Sequence, residues 1–463
     1  MSVSIKEASK VSSFIKGSSI LVLSNVCLKA INFFLLPLYT GNLTPEMIGV
    51  SDSITTMTGI LIPLLTMGLD SAFSAFYYEK NDSNRAEKVF STLTWVFWGI
   101  GCIPLLMLFL GDIISNILFH SPNYSYIIRI ALISVTFSLW HTTYALELRL
   151  KNRMFWFGLS NVLASLTMVA LNILFVSILH LGESSLVLSA MFVHIESFFV
   201  LLLMVQTKPN IKWFDGMLLK SMLKFSAPMI PMTLMMWILS LSDRYILLYY
   251  CGEAEVGLYG IGLRFTNLLN VVITAVSMAY TTFAYSSKDD KDAKKNYYYI
   301  FNIETFFLMG IAFSLGLFSK EIIQLMTAQS YWVSYVTIRD LMFSQTFFAM
   351  ASVVGYGIFF EKKSGYSLMA VSAGALLNII LNFILIPKYG IAAASLTTLL
   401  GYALYFGLTL YYSEKTYSCE YGQKRVISTI VILYFICYIF METQLAIKIL
   451  IWIISIMRWR SRV

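Results

Sequence analysis

Two basic residues stand deep inside long apolar runs, where a charge costs on the order of 3 kcal/mol or more on insertion scales and is therefore a functional signal by default. Lys29 lies in the run Phe14 to Leu38, with Asn25 and Asn32 at i−4 and i+3, so in a helix all three share one face. Arg264 lies in the run Val256 to Tyr285, flanked at three- and four-residue spacing by Gly260, Asn267, Asn270 and Thr274. At the helical rise, Lys29 falls about 14 Å and Arg264 about 12 Å below the outer ends of their runs, which puts both near mid-bilayer. Fixed positive charge at that depth suits an anion, and a guanidinium pairs bidentately with phosphate-type oxygens. The competing expectation is internal pairing of Arg264 with Asp52 or Asp243, with Lys29 snorkelling along its helix.

Other runs carry polar stripes. One holds Asp52, Thr55, Thr56, Gly59, Pro63, Thr66 and Asp70, and another Ser226, Thr233, Trp237, Ser240 and Arg244. Asp243 beside Arg244 falls near a run's outer end, where an interfacial ion pair or gate is expected. Asp70, Glu147, Glu196 and Glu304 are carboxylates within runs, and a buried carboxyl that titrates could couple to a proton or sodium ion; Asp70 and Glu147 are weakened by their positions toward the ends of their runs, where solvation or pairing with Arg149 and Lys151 is expected. His141 and His194 read as satisfied core histidines. The five cysteines are scattered with no C-x-x-C or C-x-x-H spacing, so no metal site is expected. Neither a phosphate-binding G-x-x-x-x-G-K-[ST] loop nor an H-E-x-x-H or G-x-S-x-G motif occurs, so no enzyme chemistry, ATP drive or cofactor is expected.

The elements that position these residues follow from the solvent. A chain of 463 residues that is 58% hydrophobic and 13% charged has lipid around most of it. Counting apolar runs of about 20 residues gives twelve spans: Phe14 to Leu38, Ile48 to Phe76, Val89 to Leu110, Tyr126 to Leu148, Met154 to Leu179, Ser184 to Val205, Met222 to Leu248, Val256 to Tyr285, Tyr297 to Phe318, Tyr335 to Phe360, Tyr366 to Ile386 and Ile391 to Tyr412. Val426 to Met441 and Leu445 to Met457 are shorter and would complete fourteen. Alternate connections collect 25 of the 33 basic residues, which by the positive-inside bias puts both termini in the cytoplasm. The net charge of +8 is thus a topology signal, and nucleic acid is not an expected partner. Pro63, Pro104, Pro228 and Pro231 fall inside spans and should kink them.

A shift of 208 residues lays Lys16, Ser18, Gly49, Tyr77 and Lys80 on Lys224, Ser226, Gly257, Tyr285 and Lys288 without a gap. Leu171, Asn172 and Ile173 before Gly182 match Leu381, Asn382 and Phe383 before Gly390 in the same sense. Six spans per unit give the two copies one orientation in the membrane. The expected division is therefore 1–207 and 208–415 as two six-helix lobes, with 416–463 as two additional helices.

The segments LKFSAPMIPMTLMMWILSLSDRYILLYYCGEAEVGLYGIGLRF and LNFILIPKYGIAAASLTTLLGYALYF carry a resemblance that extends over nearly the whole chain. It resembles the Wzx-type polysaccharide (O-antigen) flippase branch of the multidrug/oligosaccharidyl-lipid/polysaccharide exporter superfamily. That resemblance implies an all-α integral membrane fold of two pseudo-symmetric six-helix bundles, MATE-like, alternating between inward- and outward-open states. It implies a bacterial inner-membrane location and an undecaprenyl-pyrophosphate-linked oligosaccharide as substrate, passing between the lobes while its tail stays in membrane lipid. A polysaccharide polymerase and a chain-length regulator are the partners it suggests. Lys29 and Arg264 would then contact the pyrophosphate or acidic sugars. Three rivals stand beside it: a multidrug or cation antiporter of the same superfamily, a peptidoglycan-precursor flippase, and a membrane glycosyltransferase or polymerase. The antiporter calls for carboxylates on the first helix, where this chain has Lys29, and the enzyme for a substantial outer loop, which is missing here.

Overall fold

The computed structural model describes residues 33–79, 84–287, 290–361 and 363–460. Lys29, Asn25 and Asn32 lie outside the described residues, as do Lys16, Ser18, Lys80 and Lys288 of the 208-residue match.

In hydrocarbon every backbone amide must find its partner within its own segment, and the described chain accordingly folds into helices. They are α1 (Leu36–Asn42), α2 (Pro45–Thr66), α3 (Leu69–Tyr77), α4 (Arg85–Leu106), α5 (Gly111–Phe119), α6 (Ser125–Leu150), α7 (Met154–Asn172), α8 (Ser185–Met204) and α9 (Gly216–Ser226). There follow α10 (Met229–Cys251), α11 (Glu253–Ser286), α12 (Ala293–Leu317), α13 (Ser319–Met326), α14 (Tyr335–Val354), α15 (Tyr356–Phe360), α16 (Ser364–Thr416), α17 (Gln423–Phe440) and α18 (Leu445–Arg460). Among the described residues eight helical stretches are long and apolar enough to cross a bilayer, or nine with the bent pair α9–α10. The molecule is a multi-pass membrane protein. One of the eight, α16, is two spans broken at Gly390, whose φ of 54° and ψ of −133° leave the helical region. Gly390 separates the expected runs Tyr366 to Ile386 and Ile391 to Tyr412.

Two expected runs are interrupted. The run Ile48 to Phe76 breaks at Met67 and Gly68, both at positive φ, 48° and 69°. A glycine tolerates that conformation and the methionine is carried with it. A Cβ on Gly68 would stand 3.3 Å from that of Ser226, so close packing on the end of α9 accompanies the break. The run Met222 to Leu248 bends by 48° between α9 and α10. Pro228 lies in that gap, and its ring has no N–H to carry the helical hydrogen-bond ladder on, as the proline reading expects. The apolar run of α7 ends in a wide turn over Ile173–Ile178, where the Leu179 N–H reaches back five residues to Leu174.

The chain divides into two compact units. One takes Val50–Leu234 with the described residues up to Leu38; the other takes Tyr39–Gly49 and the residues from Met235 onward. In the first unit α3, α4, α6 and α8 pack around Phe73, Phe90, Phe97, Leu139, Tyr144 and Phe198, with α9 closing against α3. Lipid offers little hydrophobic drive between helices, so close approach and hydrogen bonds between small polar residues hold them together. Thr94 bonds Thr143 at 3.2 Å, and Thr136 donates to the carbonyl of Gly101 at 3.0 Å.

In the second unit α14 is central, packed on α11, α12 and α16. The first turn of α2, Pro45–Gly49, belongs here and meets the start of α11 backbone to backbone. A Cβ on Gly49 would lie 1.7 Å from the carbonyl oxygen of Glu253, and one on Gly257 would lie 1.9 Å from that of Pro45. Gly49 and Gly257 are positions that the 208-residue shift superimposes.

Candidate functional site

Polar side chains gather inside the second unit on α10, α11, α14 and α16. Asp243 on α10 is 1% exposed. Its Oδ2 accepts the Tyr259 hydroxyl at 2.5 Å and the Thr398 hydroxyl at 3.0 Å, and its Oδ1 accepts the Arg244 backbone N–H at 2.8 Å. Next to it Ser242 donates to Asn378 Oδ1 at 3.5 Å, and that oxygen also accepts from Asn382 Nδ2 at 3.0 Å. Thr397 closes the chain by donating to Asn382 Oδ1. The spacing explains the convergence: Asn378 and Asn382 are one turn apart on one arm of α16, while Gly390 folds the other arm back, which brings Thr397 to Asn382 and Thr398 to Asp243. Close helix approach supports this fold, since a Cβ on Gly374 would stand 2.7 Å from the carbonyl of Gly401.

A second buried knot lies on α14. Arg339 Nε donates to Asp340 Oδ1 at 2.7 Å, and Asp340 accepts further bonds from Tyr434 at 3.0 Å and Ser395 at 3.1 Å. The Arg339 guanidinium also sits over the rings of Tyr434 and Tyr438, 5.0 and 4.8 Å from their centroids.

Arg264 is half-buried on α11, with its guanidinium carbon 5.0 Å from the centroid of the buried Tyr39 ring. That is cation–π geometry. Asn267 and Asn270 are half-buried on the same helix, and the Asn270 backbone carbonyl accepts the Thr274 hydroxyl at 2.6 Å. Arg244 is half-buried on α10. Asp52 is half-buried on α2 in the first unit, where its backbone carbonyl accepts the Thr56 hydroxyl at 2.7 Å.

The coupling candidates differ in surroundings. Asp70 is exposed at the start of α3. Glu196 on α8 is half-buried, with Oε2 lacking a hydrogen bond among the described residues. Glu304 on α12 is 5% exposed and neither carboxyl oxygen has a partner among them. Glu147 is tied to Lys151 at 2.9 Å and to Thr207 at 3.0 Å. His141 and His194 stack on each other, ring centroids 5.8 Å apart.

Sequence reasoning named Asp243 but not Tyr259, Asn378, Thr397 or Thr398, and it passed over Arg339 and Asp340. Two asparagines at i and i+4 inside an apolar stretch were the available signal for the first set. An adjacent Arg–Asp pair inside the run Tyr335 to Phe360 was the signal for the second. Among the described residues no three His, Cys, Asp or Glu side chains gather as a metal-holding group. The Asp243 cluster offers oxygens, which suit a proton or a hard cation rather than a transition metal.

A family profile described as "Polysaccharide biosynthesis protein" matches residues 43–337. Among solved structures the chain is similar to the lipid II flippase MurJ in an inward closed conformation, with a TM-score of 0.76 and 19% identity over 96% of this chain and 98% of that one. It is also similar to an inward-facing multidrug resistance MATE family transporter of the MOP superfamily, with a TM-score of 0.70 and 16% identity over 88% and 98%. Both likenesses are of fold, and they bear out the all-α, MATE-like expectation. An uncharacterised membrane protein, MJ1068, of Methanocaldococcus jannaschii is 26% identical over 202 residues, which are 42% of this chain and 39% of that protein's length.

Proposed function

The chain belongs to the polysaccharide biosynthesis protein family, and from that premise we propose that it carries a polyprenyl-pyrophosphate-linked oligosaccharide from the cytoplasmic to the outer leaflet of a bacterial inner membrane. The observation that carries this reading is Arg264, a half-buried cation within a span, placed on Tyr39 and flanked on its helix by Asn267 and Asn270. Such a cation favours a phosphorylated or acidic cargo over a cationic drug. The family assignment and the fold shared with the lipid II flippase MurJ support the same reading.

In this scheme both termini are cytoplasmic and the cycle is one of alternating access. Arg264 and Lys29 contact the pyrophosphate or acidic sugars, and Asn25, Asn32, Asn267 and Asn270 hydrogen-bond the cargo. Asp52, Asp243 and Arg244 act at a gate. Among Asp70, Glu196 and Glu304, the carboxyl with most reason to take up a coupling proton is Glu304, which is buried without a hydrogen-bond partner among the described residues, where a charge is costly.

Complementation of a deletion strain tests the proposal. Arg264→Gln and Lys29→Gln should each lower surface polysaccharide about tenfold, the loss expected from one charge-assisted contact, at unchanged protein level. Unchanged glycan from both variants would remove the cation–cargo claim. Deletion should leave the lipid-linked repeat unit facing the cytoplasm. A cell-wall lysis phenotype with intact surface polysaccharide would instead select a peptidoglycan-precursor flippase, the reading that the MurJ likeness favours.

A further inference from the structure

Apart from these residues, α12 and α17 enclose a pocket of about 260 Å³. Arg425, in the first turn of α17, lines it together with Tyr298 and Asn302 of α12. The Arg425 guanidinium has no acidic partner among the described residues. One turn further along α12 the wall includes Thr305, 1% exposed, whose hydroxyl lacks a hydrogen-bond partner among the described residues. The lining then turns apolar, with Phe306 and Met309. Beside the pocket Ile303 on α12 is 64% exposed, and Val431 on α17 is exposed as well, so an apolar surface continues from it.

We propose that this pocket binds the phosphate headgroup of an anionic phospholipid, with Arg425 and the Thr305 hydroxyl on the phosphate and the acyl chain along the exposed apolar faces of α12 and α17. Donors here outnumber what the protein itself satisfies. Asn302 spends Nδ2 on the carbonyl of Tyr298 at 2.8 Å, and Thr429 spends its hydroxyl on that of Arg425 at 2.8 Å. The Arg425 fork and the Thr305 hydroxyl are left over, and phosphate oxygens accept from both. The grading from Arg425 to Met309 selects an amphiphile over a free ion. Lys294 and Lys295 stand in the first turn of α12, so the same end is basic, and the positive-inside bias assigns it to the cytoplasm. Basic residues at that surface attract anionic lipids.

The site does not depend on transport, so binding alone tests it. The full chain, delipidated in detergent, is titrated with phosphatidylglycerol or with phosphatidylcholine of the same acyl chains and read by native mass spectrometry. The wild-type chain should hold phosphatidylglycerol about tenfold better. Arg425→Gln should abolish that preference, Arg425→Lys should keep part of it, and Lys220→Gln, a change at an exposed lysine elsewhere, should leave it intact. Thr305→Val should weaken phosphatidylglycerol binding several-fold; Arg425, being exposed, carries the test if that variant fails to fold. Equal binding of the two lipids by the wild-type chain, or a preference that survives Arg425→Gln, overturns the proposal. So does displacement of the lipid by millimolar inorganic phosphate, which would mark a simple ion site, or preferential displacement by polyprenyl pyrophosphate, which would assign the pocket to cargo.

Discussion

Arg339 and Asp340 are neighbours in sequence, 8% and 2% exposed, and pair with each other inside α14, where Asp340 also accepts from Tyr434 and Ser395. Removing one partner of such a pair strands a buried charge, which costs about 3 to 5 kcal/mol, whereas replacing both with apolar groups is far milder. Asp340→Asn should therefore lower the melting temperature of the purified chain markedly, and Arg339→Met with Asp340→Leu should recover part of the loss, the remainder reflecting the acceptor that Tyr434 and Ser395 lose. Equal destabilisation by the single and double variants would show that the pair is not coupled. Arg264 differs in its surroundings, because its guanidinium lies over the Tyr39 ring. The positions of Lys29 and Arg264 in their runs were legible because an isolated cation in an apolar stretch is conspicuous. The partners of Asp243 were not, since Tyr259, Thr397 and Thr398 look like ordinary span residues until α16 folds at Gly390.

At the scale of elements, most spans were readable from run length, and the failures share a cause. Met67 and Gly68 break a run that is apolar on both sides, because the packing on Ser226 is a long-range fact. The bend near Pro228 was readable because proline carries its reason with it. The crossing of α2 and α11 gives a sharp expectation. A methyl on Gly49 or Gly257 would meet a backbone carbonyl at under 2 Å, and backbone cannot step aside as a flexible side chain can. Gly49→Ala and Gly257→Ala should each cost about 1 to 3 kcal/mol, the range for overpacking, read as a lowered melting temperature. Gly99→Ala, where a new Cβ meets nothing within 4 Å, should be neutral. A neutral Gly257→Ala would show that the two helices do not approach this closely.

For the molecule as a whole, the last two helices are tied into the second unit at several points. Tyr434 on α17 bonds Asp340, and Cys437 approaches the carbonyl of Phe313 at 3.5 Å. On α18 the fully buried Lys448 bonds Glu321 at 2.7 Å, and Trp452 donates to Ser314 at 2.8 Å. Glu442 in the turn between them is held below the usual carboxylate range by hydrogen bonds from Lys320 and Tyr335. A chain ending at Tyr421 would uncover Asp340 and leave Glu321 without Lys448. It should melt lower by roughly 5 °C or more and accumulate less. Melting at the full-length temperature would show α17 and α18 to be dispensable for the unit's stability.

The amino-acid sequence alone determined the class of molecule, the course of most spans and the cation on α11. Lipid as a solvent explains this: it charges several kcal/mol for each unsatisfied polar group, so helical runs and buried charges announce themselves locally. The tertiary structure decided which polar groups meet. Asp243 and Thr398 stand 155 residues apart, and Lys448 and Glu321 stand 127 apart. Contacts at such separations depend on where helices break and how closely glycines let them approach, and those are properties of the packed chain rather than of any one run.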